Sequence, residues 1–263
     1  MFELRTNLRQ TFALTGRELK HWYRSKMQIS MALIMPLVWL GLFGMAMSGF
    51  TEGMGLDYFS FLAMGMIVIT ALSTSMNAGM SVIWDRRFGF LNKLKATPVP
   101  RGVIPLSKVL ATTVKATVQS LMVLVMGLLL GLNLKPGFGL VGLLVIVITV
   151  VLVALTFSSI FVSLGLVIKN QEVLMSLNML LNLPLMFASG AMFPTASFPA
   201  WLQTVANLNP LTYAADAVRR VAIEVDSATL LSTTLGQDLL ILAVVALVVT
   251  VLGMFFARRG LND

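Results

Sequence analysis

The sequence has no cysteine and only one histidine, His21. The lack of cysteine excludes disulfides and thiolate metal sites, and a single histidine excludes histidine clusters that could hold a metal. His21 stands beside Trp22 in a segment that we interpret as an interfacial helix, so we read it as an interfacial side chain and not as a base in a catalytic triad. The sequence therefore predicts no catalytic, cofactor-binding or metal-binding residue in this chain, and no enzyme activity of its own.

Also missing is the pattern G-x-x-x-x-G-K-[S/T], with which many ATPases hold the phosphates of ATP. Acidic residues are nearly absent from the long apolar segments, whereas transporters driven by protons or ions place ionisable groups near the middle of the membrane. Lys115 is the one clear charge within a predicted span, and its long side chain could extend its amine toward the membrane surface. We therefore expect the energy for any transport to come from another subunit.

Charge is scarce throughout, at 11% of residues, against 57% hydrophobic residues and a mean hydropathy of +0.90. A soluble domain of this length could not bury so much apolar surface. The apolar runs are continuous over about 20 residues, the length of a membrane-spanning helix, and do not alternate as barrel strands do. The expected fold class is therefore an all-α integral membrane protein.

The apolar runs predict six transmembrane helices, at residues 28–50, 58–83, 107–132, 138–168, 173–193 and 239–257. We interpret residues 1–263 as a single transmembrane domain with three further elements. Residues 1–26 form an amphipathic interfacial helix, residues 84–101 a cytoplasmic element, and residues 193–236 short re-entrant helices on the external side.

Lysine and arginine residues are concentrated on one side of this topology. Residues 1–26 carry six of them, and residues 84–101 carry five. The positive-inside rule then places both termini in the cytoplasm of a multi-pass protein of the cell membrane. We attribute the net charge of +8 to loops that face anionic lipid, and we expect no nucleic-acid partner.

Along the interfacial helix, apolar side chains share one face and cations lie on the adjacent face. The apolar face comprises Leu4, Leu8, Phe12, Leu19, Trp22 and Tyr23. Two interpretations stay open: the helix is a simple membrane anchor, or it is an elbow that passes force from a partner to the first span.

Two long motifs occur in order along the chain. The first reads Asp85-Arg86-Arg87-Phe88-Gly89-Phe90-Leu91, followed by Leu94-Lys95-Ala96-Thr97-Pro98-Val99-Pro100-Arg101. The second comprises Ser189-Gly190-Ala191-Met192-Phe193-Pro194, Pro199-Ala200-Trp201-Leu202-Gln203, and Asn209-Pro210-Leu211-Thr212-Tyr213-Ala214-Ala215-Asp216-Ala217-Val218-Arg219. With these motifs the sequence resembles the type-2 export permeases of the ATP-binding-cassette (ABC) superfamily, especially the daunorubicin-resistance-like group. Asp85 departs from the glutamate that many members have, but it keeps the negative charge.

The resemblance implies that the element after the second span is a coupling helix that rests in a cleft of a separate ATPase subunit. Apolar side chains would fill a pocket there, charges would form an orienting rim, and Gly89 would permit close approach. The implied coupling residues are Trp84, Asp85, Arg86, Arg87, Phe88, Gly89, Phe90, Leu91, Leu94 and Lys95. The alternative is a basic loop that lies on lipid head groups.

The resemblance also implies the rest of the assembly. Two ATPase subunits, with ATP and Mg on those subunits, would pair with two copies of this chain or with this chain and a homologue. The complex would export a drug, a lipid or a lipid-linked product, so efflux and antibiotic resistance are expected functions. The external re-entrant residues of the second motif are Pro194, Trp201, Asn209, Pro210, Tyr213, Asp216 and Arg219.

Polar and methionine side chains within the spans suggest a translocation pathway, because amides in hydrocarbon need a partner or a wet cavity. The candidates are Ser73, Ser75, Asn77, Asn178, Asn182 and Met186. Ordinary helix packing would explain the same residues.

Two other functions stay open on sequence grounds. One is a self-contained secondary transporter or channel, against which the lack of intramembrane carboxylates argues. The other is an intramembrane enzyme such as a lipid-modifying transferase, which would need paired carboxylates or histidines near the interface.

Overall fold

The fold was analysed in a computed structural model that describes residues 2–51, 57–96, 99–224, 230–231 and 233–260. Of the described residues, 84% are helical and none lies in a strand. The helices are α1 (Phe2–Arg24), α2 (Lys26–Val38), α3 (Met45–Thr51), α4 (Tyr58–Arg87), α5 (Phe90–Lys95), α6 (Val103–Leu129), α7 (Leu140–Val167), α8 (Gln171–Phe187), α9 (Ala200–Leu208), α10 (Pro210–Ala222) and α11 (Leu235–Gly260). A π-helical segment, Trp39–Gly44, joins α2 to α3 so that the three form one continuous helical element. The all-helical class is therefore confirmed.

Five helical segments of the described chain are long and apolar enough to cross a membrane. They are Lys26–Gly49, Tyr58–Arg87, Val103–Leu129, Leu140–Val167 and Leu235–Ala257. The sixth predicted span, residues 173–193, corresponds to α8, which has only 17 residues and ends at Phe187. At 1.5 Å per residue such a helix is about 25 Å long, shorter than the hydrocarbon core of a typical bilayer. Six spans are therefore not confirmed, and the predicted end at residue 193 is wrong.

The longest helix, α4, lies at the centre of the bundle. It packs against α6, α7, α8 and α10, and 22 of its 30 residues are buried. Its sequence is apolar all round instead of on one face, which is the pattern of a helix surrounded by other helices. The predicted end of this span, at residue 83, is too early, because the helix continues through the first basic residues to Arg87.

Asp57 fixes the start of α4. Its carboxylate accepts hydrogen bonds from the Ser60 backbone N–H at 3.1 Å and the Ser60 hydroxyl at 2.6 Å. Asn133 donates a third bond to the same group at 3.1 Å. Partial burial alone would raise the pKa of Asp57, but the bonds from Ser60 and Asn133 lower it below its ordinary value. A charged carboxylate at this helix N-terminus also satisfies the positive end of the helix dipole.

Glycine allows α4 to approach two neighbouring segments at backbone distance. A side chain at Gly79 would overlap the carbonyl oxygen of Phe161 on α7, and one at Gly165 would overlap the carbonyl of Gly79. Fourteen residues earlier on α4, a side chain at Gly65 would overlap the carbonyl of Ala191. The central helix can therefore take this position only with glycine at these sites.

The region from Phe193 onward differs from the predicted external re-entrant helices. Its helices α9 and α10 are present, and Pro199 and Pro210 mark their starts. However, α10 packs against α4, α7 and α11, and nine of its thirteen residues are buried within the bundle. A re-entrant arrangement is therefore not confirmed, and residues 225–229, 232 and 261–263 lie outside the described part of the chain.

We expect Gly79→Ala to destabilise the protein, because the added methyl group has to separate the backbones of α4 and α7. Overpacking typically costs about 1–3 kcal/mol, and a clash with backbone belongs at the upper end. Thermal unfolding in detergent micelles measures the effect. Gly16→Ala is the matched control, because a methyl group there meets no atom within 4 Å; equal unfolding temperatures for the two variants would contradict the close approach.

Candidate coupling site

The first motif lies at the end of α4 and on the short helix that follows. Residues 84–87 are the last turn of α4, and α5 begins at Phe90 after a turn through Phe88 and Gly89. Gly89 has φ +71°, a left-handed conformation that glycine adopts at little cost. A side chain at Gly89 would meet no atom within 4 Å, so the backbone conformation explains this glycine within the chain.

Four side chains of this element face outward. Phe88 is 80% exposed and Trp84 is 45% exposed, and Arg87 and Lys93 are exposed beside them. We call these four residues the exposed coupling surface. Phenylalanine, tryptophan and arginine at one helix end form the kind of apolar patch with cations that mediates many protein contacts.

Leu91 and Leu94 face the interior of their own chain. Leu91 is only 2% exposed and packs in a cluster with Val82 and Leu166, and Leu94 packs against the same cluster. Leu91 is therefore not available to a partner in this position, and the predicted coupling role of the partly exposed Leu94 stays a prediction. Both leucines fix α5 to α4 and α7.

Arg86 is also an internal contact and not part of a charged rim. Its guanidinium donates hydrogen bonds to the carbonyl oxygens of Leu166, at 2.5 Å, and Ile168, at 3.5 Å. These carbonyls lie at the C-terminal end of α7, where helices leave acceptors unpaired and where a positive charge is stabilising. Arg86 thus ties the end of α4 to the end of α7.

Asp85 belongs to a cluster of five charged side chains from three helices, which we call the five-charge cluster. Its members are Arg17 and Glu18 on α1, Asp85 on α4, and Lys108 and Lys115 on α6. At its centre is the Lys108 amine, 2.5 Å from a carboxylate oxygen of Asp85 and 3.0 Å from one of Glu18. The contact with Asp85 is an ion pair without hydrogen-bond geometry, whereas Glu18 accepts a hydrogen bond from Lys108.

The outer cations complete the five-charge cluster. Arg17 lies 3.7 Å from Asp85, and its guanidinium stacks 3.5 Å from the centre of the Phe90 ring. Lys115 lies 3.8 Å from Glu18. The cluster therefore links α1 to the last turn of α4 and to α5, and Lys115 reaches a carboxylate of α1.

Glu18 is the functional contact that the sequence interpretation missed. It is the one acidic residue between Arg5 and Arg24, and this isolation in a basic segment was the available signal. Burial by itself would raise the pKa of Glu18, but the charge and hydrogen bond of Lys108, with the charges of Lys115 and Arg17, lower it below its ordinary value. The carboxylate is therefore held in its charged form.

In the second motif, Arg219 is fully buried on α10 and donates to three backbone carbonyls. Its guanidinium reaches the oxygens of Gly190 at 2.5 Å, Ala191 at 2.6 Å and Phe61 at 3.1 Å. It also lies 3.4 Å from the centre of the Phe61 ring, and Asp216 is 3.9 Å away. A buried charge is costly unless its donors are satisfied, so this set of acceptors explains how the arginine can be internal.

The other residues of this motif shape the region around Arg219. Asn209 caps α10 by accepting from the Leu211 backbone N–H at 3.0 Å, and it donates to the Leu185 carbonyl at 2.8 Å. Tyr213 donates to the carbonyl of Asn207, and the Asp216 carboxylate accepts from the backbone N–H of Leu231. Pro210 is the first residue of α10, Pro194 precedes a single 3-10 turn, and Trp201 is exposed on α9. These contacts are structural, and they are found within one chain.

The residues proposed for a translocation pathway do not converge on one surface. Ser75 and Met186 are buried, and Ser75 donates to the carbonyl of Ala71 on its own helix. Asn178 and Asn182 both donate to Met76, the first to its carbonyl and the second to its sulfur. Asn77 is exposed and bonds the carbonyl of Ser73. Helix packing accounts for Ser75 and Met186, and the pathway stays a prediction for the others.

Part of the first motif lies outside the described residues. This applies to Thr97, Pro98 and the side chains of Asn92 and Lys95, so the predicted coupling role of Lys95 stays a prediction.

Comparison with known proteins gives one consistent result. Residues 9–223 match the family model described as ABC-2 type transporter. Among similar proteins, one named as the transport permease ycf38 of Pyropia yezoensis is 33% identical over 219 residues, which are 79% of this chain and 72% of that protein. The "Daunorubicin resistance ABC transporter permease protein DrrB1" of Streptomyces coeruleorubidus is 27% identical over 194 residues, which are 73% of this chain and 66% of that protein.

We expect the pairing of Glu18 to make stability depend on pH. Because its pKa is lowered in the folded protein, its contribution is complete above its ordinary value of 4.5 and is lost as pH falls through the lowered pKa. Glu18→Gln should therefore destabilise the protein by about 1–3 kcal/mol at neutral pH and by progressively less in acid. Unfolding midpoints between pH 7 and pH 3 measure this difference. The exposed Glu224→Gln variant is the control, and a Glu18 effect independent of pH would contradict the pairing.

We expect Arg219→Lys to destabilise the fold strongly, because a single ammonium cannot reach all three carbonyls that the planar guanidinium contacts. The expected cost is about 3–5 kcal/mol, the range for removing one partner from a buried charged network. Thermal unfolding tests this, with Arg220→Lys as the control at a partly exposed neighbour, whose guanidinium contacts Asp238 and the carbonyl of Leu231. Equal destabilisation by the two substitutions would rule out a special role for Arg219.

Proposed function

The chain belongs to the ABC-2 type transporter family and is the membrane subunit of an ABC transporter, and from this premise we propose that it is an exporter driven through the exposed coupling surface. The energy would come from a separate ATPase subunit, which the family implies as a partner. In this proposal ATP and Mg²⁺ bind the ATPase subunit, and the present chain supplies the path through the membrane.

The observation that carries the proposal is the exposure of Phe88 beside Trp84 and Arg87, on a turn whose other side chains are internal. In a membrane, exposed apolar residues on the spans face lipid, but this surface lies beyond the apolar part of α4 and includes two cations, Arg87 and Lys93. A flat aromatic surface with cations fits the cleft of a soluble subunit better than it fits hydrocarbon.

Contacts between this surface and the rest of the bundle would transmit a displacement caused by the partner. Leu91 and Leu94 join α5 to the bundle, Arg86 joins α4 to α7, and Asp85 joins α4 to α1 and α6 through the five-charge cluster. Movement of the surface would therefore displace the central helix together with the interfacial helix. This supports the elbow interpretation of α1 over a simple anchor, since an anchor needs no ion pair with the coupling element.

The remaining parts of the proposal concern the assembly and its cargo. Two ATPase subunits would act with two copies of this chain, or with this chain and a homologue. The basic end of α4 and both termini would face the cytoplasm of the cell membrane, as the distribution of lysine and arginine indicates. The relative named for daunorubicin resistance supports a hydrophobic or amphipathic cargo, such as a drug, a lipid or a lipid-linked product.

Phe88→Ala tests the coupling role, since it removes the most exposed aromatic side chain of the surface without touching an internal contact. We expect binding to the partner ATPase subunit to weaken by about 10- to 100-fold, as for an interface hot spot. Co-purification and ATP turnover in proteoliposomes measure the effect.

Leu129→Ala is the matched control for Phe88→Ala, because Leu129 is 82% exposed at the opposite end of the neighbouring helix α6. The control should assemble and turn over ATP normally. The proposed coupling role would be contradicted if assembly and ATP turnover were unchanged in Phe88→Ala and also in the double variant that combines Trp84→Ala with Phe88→Ala.

A further inference from the structure

A cavity of about 370 Å³ lies between α1, α2, α4 and α6, on the side of the molecule that carries the five-charge cluster. Its polar lining comes from Thr74, Asn77 and Ser81 on α4, from Thr112, Lys115 and Gln119 on α6, and from Gln28 on α2. Trp22 on α1 and Trp84 on α4 also line it. The cavity is therefore walled by aromatic rings and amides, with one lysine among them.

The charge balance around this cavity leaves a positive charge at its wall. The five-charge cluster contains three cations and two carboxylates, so one positive charge is not compensated within it. Lys108 is held between both carboxylates, whereas Lys115 has its carboxylate contact with Glu18 alone, at the longer distance of 3.8 Å. Lys115 is also the only charged side chain in the lining of this cavity. Lys115, with this single long carboxylate contact, therefore presents a positive charge to the cavity beside a cluster whose net charge is positive.

Neutral donors complete the polar lining. The side-chain oxygen of Gln119 accepts a hydrogen bond from the Thr74 hydroxyl at 2.6 Å. This contact uses the acceptor end of the amide, so its N–H groups remain as donors beside the lysine. A cation with neighbouring amide donors is a lining suited to an anionic oxygen, for example that of a phosphate or carboxylate.

The position of the cavity along α4 indicates how its ligand reaches it. Trp84 lies in the last turn of α4, where tryptophan is typical of the membrane interface. Thr74 lies ten residues further inside, about 15 Å along the helix axis, which is about half the thickness of the hydrocarbon core. On α2, Met31 lines the same cavity and is itself largely exposed. A ligand here would be in contact with the lipid phase as well as with the lysine.

We propose that this cavity binds the anionic head group of a membrane amphiphile, with Lys115 as the charge partner and Gln119 as a neighbouring donor. A phospholipid of the surrounding bilayer and a lipid-like molecule on its way to export share this chemistry. The proposal rests on the cavity and the charges around it, and it does not depend on coupling to an ATPase.

Native mass spectrometry of the purified full chain in neutral detergent tests the proposal with phosphatidylglycerol and phosphatidylcholine as probes. We expect phosphatidylglycerol to bind at least about tenfold more tightly, and Lys115→Gln to remove most of that preference, since one ion pair in a partly buried site is worth about this much. Lys115→Arg should retain the preference because it keeps the charge. Lys20→Gln, which removes an exposed cation of α1, should leave the preference unchanged.

A second variant keeps the proposal falsifiable if Lys115→Gln does not fold. Ala32→Trp places a large ring in the lining from α2 while it leaves the five-charge cluster intact, and it should also abolish tight binding of phosphatidylglycerol. Equal affinity for the two lipids in the wild type, or an unchanged preference in Ala32→Trp and in folded Lys115→Gln, would overturn the proposal. Competition by inorganic phosphate as strong as that by phosphatidylglycerol would overturn it as well, because the ligand would then be a soluble anion.

The two sources of the amphiphile are separated in proteoliposomes that also contain the ATPase. Movement of phosphatidylglycerol between leaflets that requires ATP and is lost in Lys115→Gln would show that the site receives transported molecules. Retention of the bound lipid during ATP turnover would show a resident lipid. Both results support the site, and they assign it to different roles.

Discussion

The helical bundle depends on the hydrogen bonds that the buried guanidinium of Arg219 donates to backbone carbonyls. After α8 ends at Phe187, the chain passes through a turn whose carbonyls at Gly190 and Ala191 have no helix to bond them. Arg219 supplies those bonds and a further one to Phe61 on the central helix. Gly65 allows the Ala191 carbonyl and Arg219 to lie against α4, since a side chain at this position would overlap the carbonyl and lie 3.0 Å from the arginine. Irregular backbone deep in a membrane protein is tolerated where protein groups satisfy it, and one arginine does so here.

A second buried charge network lies at the other end of α4. Lys108 joins Glu18 of α1 to Asp85 of α4. The next residue, Arg86, is hydrogen-bonded to the end of α7. The central helix is therefore held by polar contacts near both ends and by close backbone packing between them. Such an element moves as a rigid body more easily than it bends, because its internal contacts are short and specific. This suits the proposed role, in which a partner would act on the exposed turn after α4.

The sequence predicted some parts of this arrangement well, and the reasons are physical. Tyr58 was identified as the start of the second span and is the first residue of α4, because the change from polar to apolar residues there is abrupt. The ends near Arg87 and Phe187 were misplaced, because a helix can continue through basic residues and can stop within an apolar run. The coupling residues were identified as one group, yet Leu91 is internal and Phe88 is exposed. Both are apolar, and only the direction of the chain after Gly89 separates them.

By itself the sequence determined the class of the protein, the concentration of cations in residues 1–26 and 84–101, and the two motifs that mark its family, because composition, run length and local order depend only on neighbouring residues. The tertiary structure decided which charges meet. Glu18 and Lys108 are 90 residues apart, and Arg219 and Phe61 are 158 apart, so no local pattern could pair them. It also decided that Lys115 lines a cavity beside a cluster of three cations and two carboxylates, since that cluster exists only where α1, α4 and α6 come together.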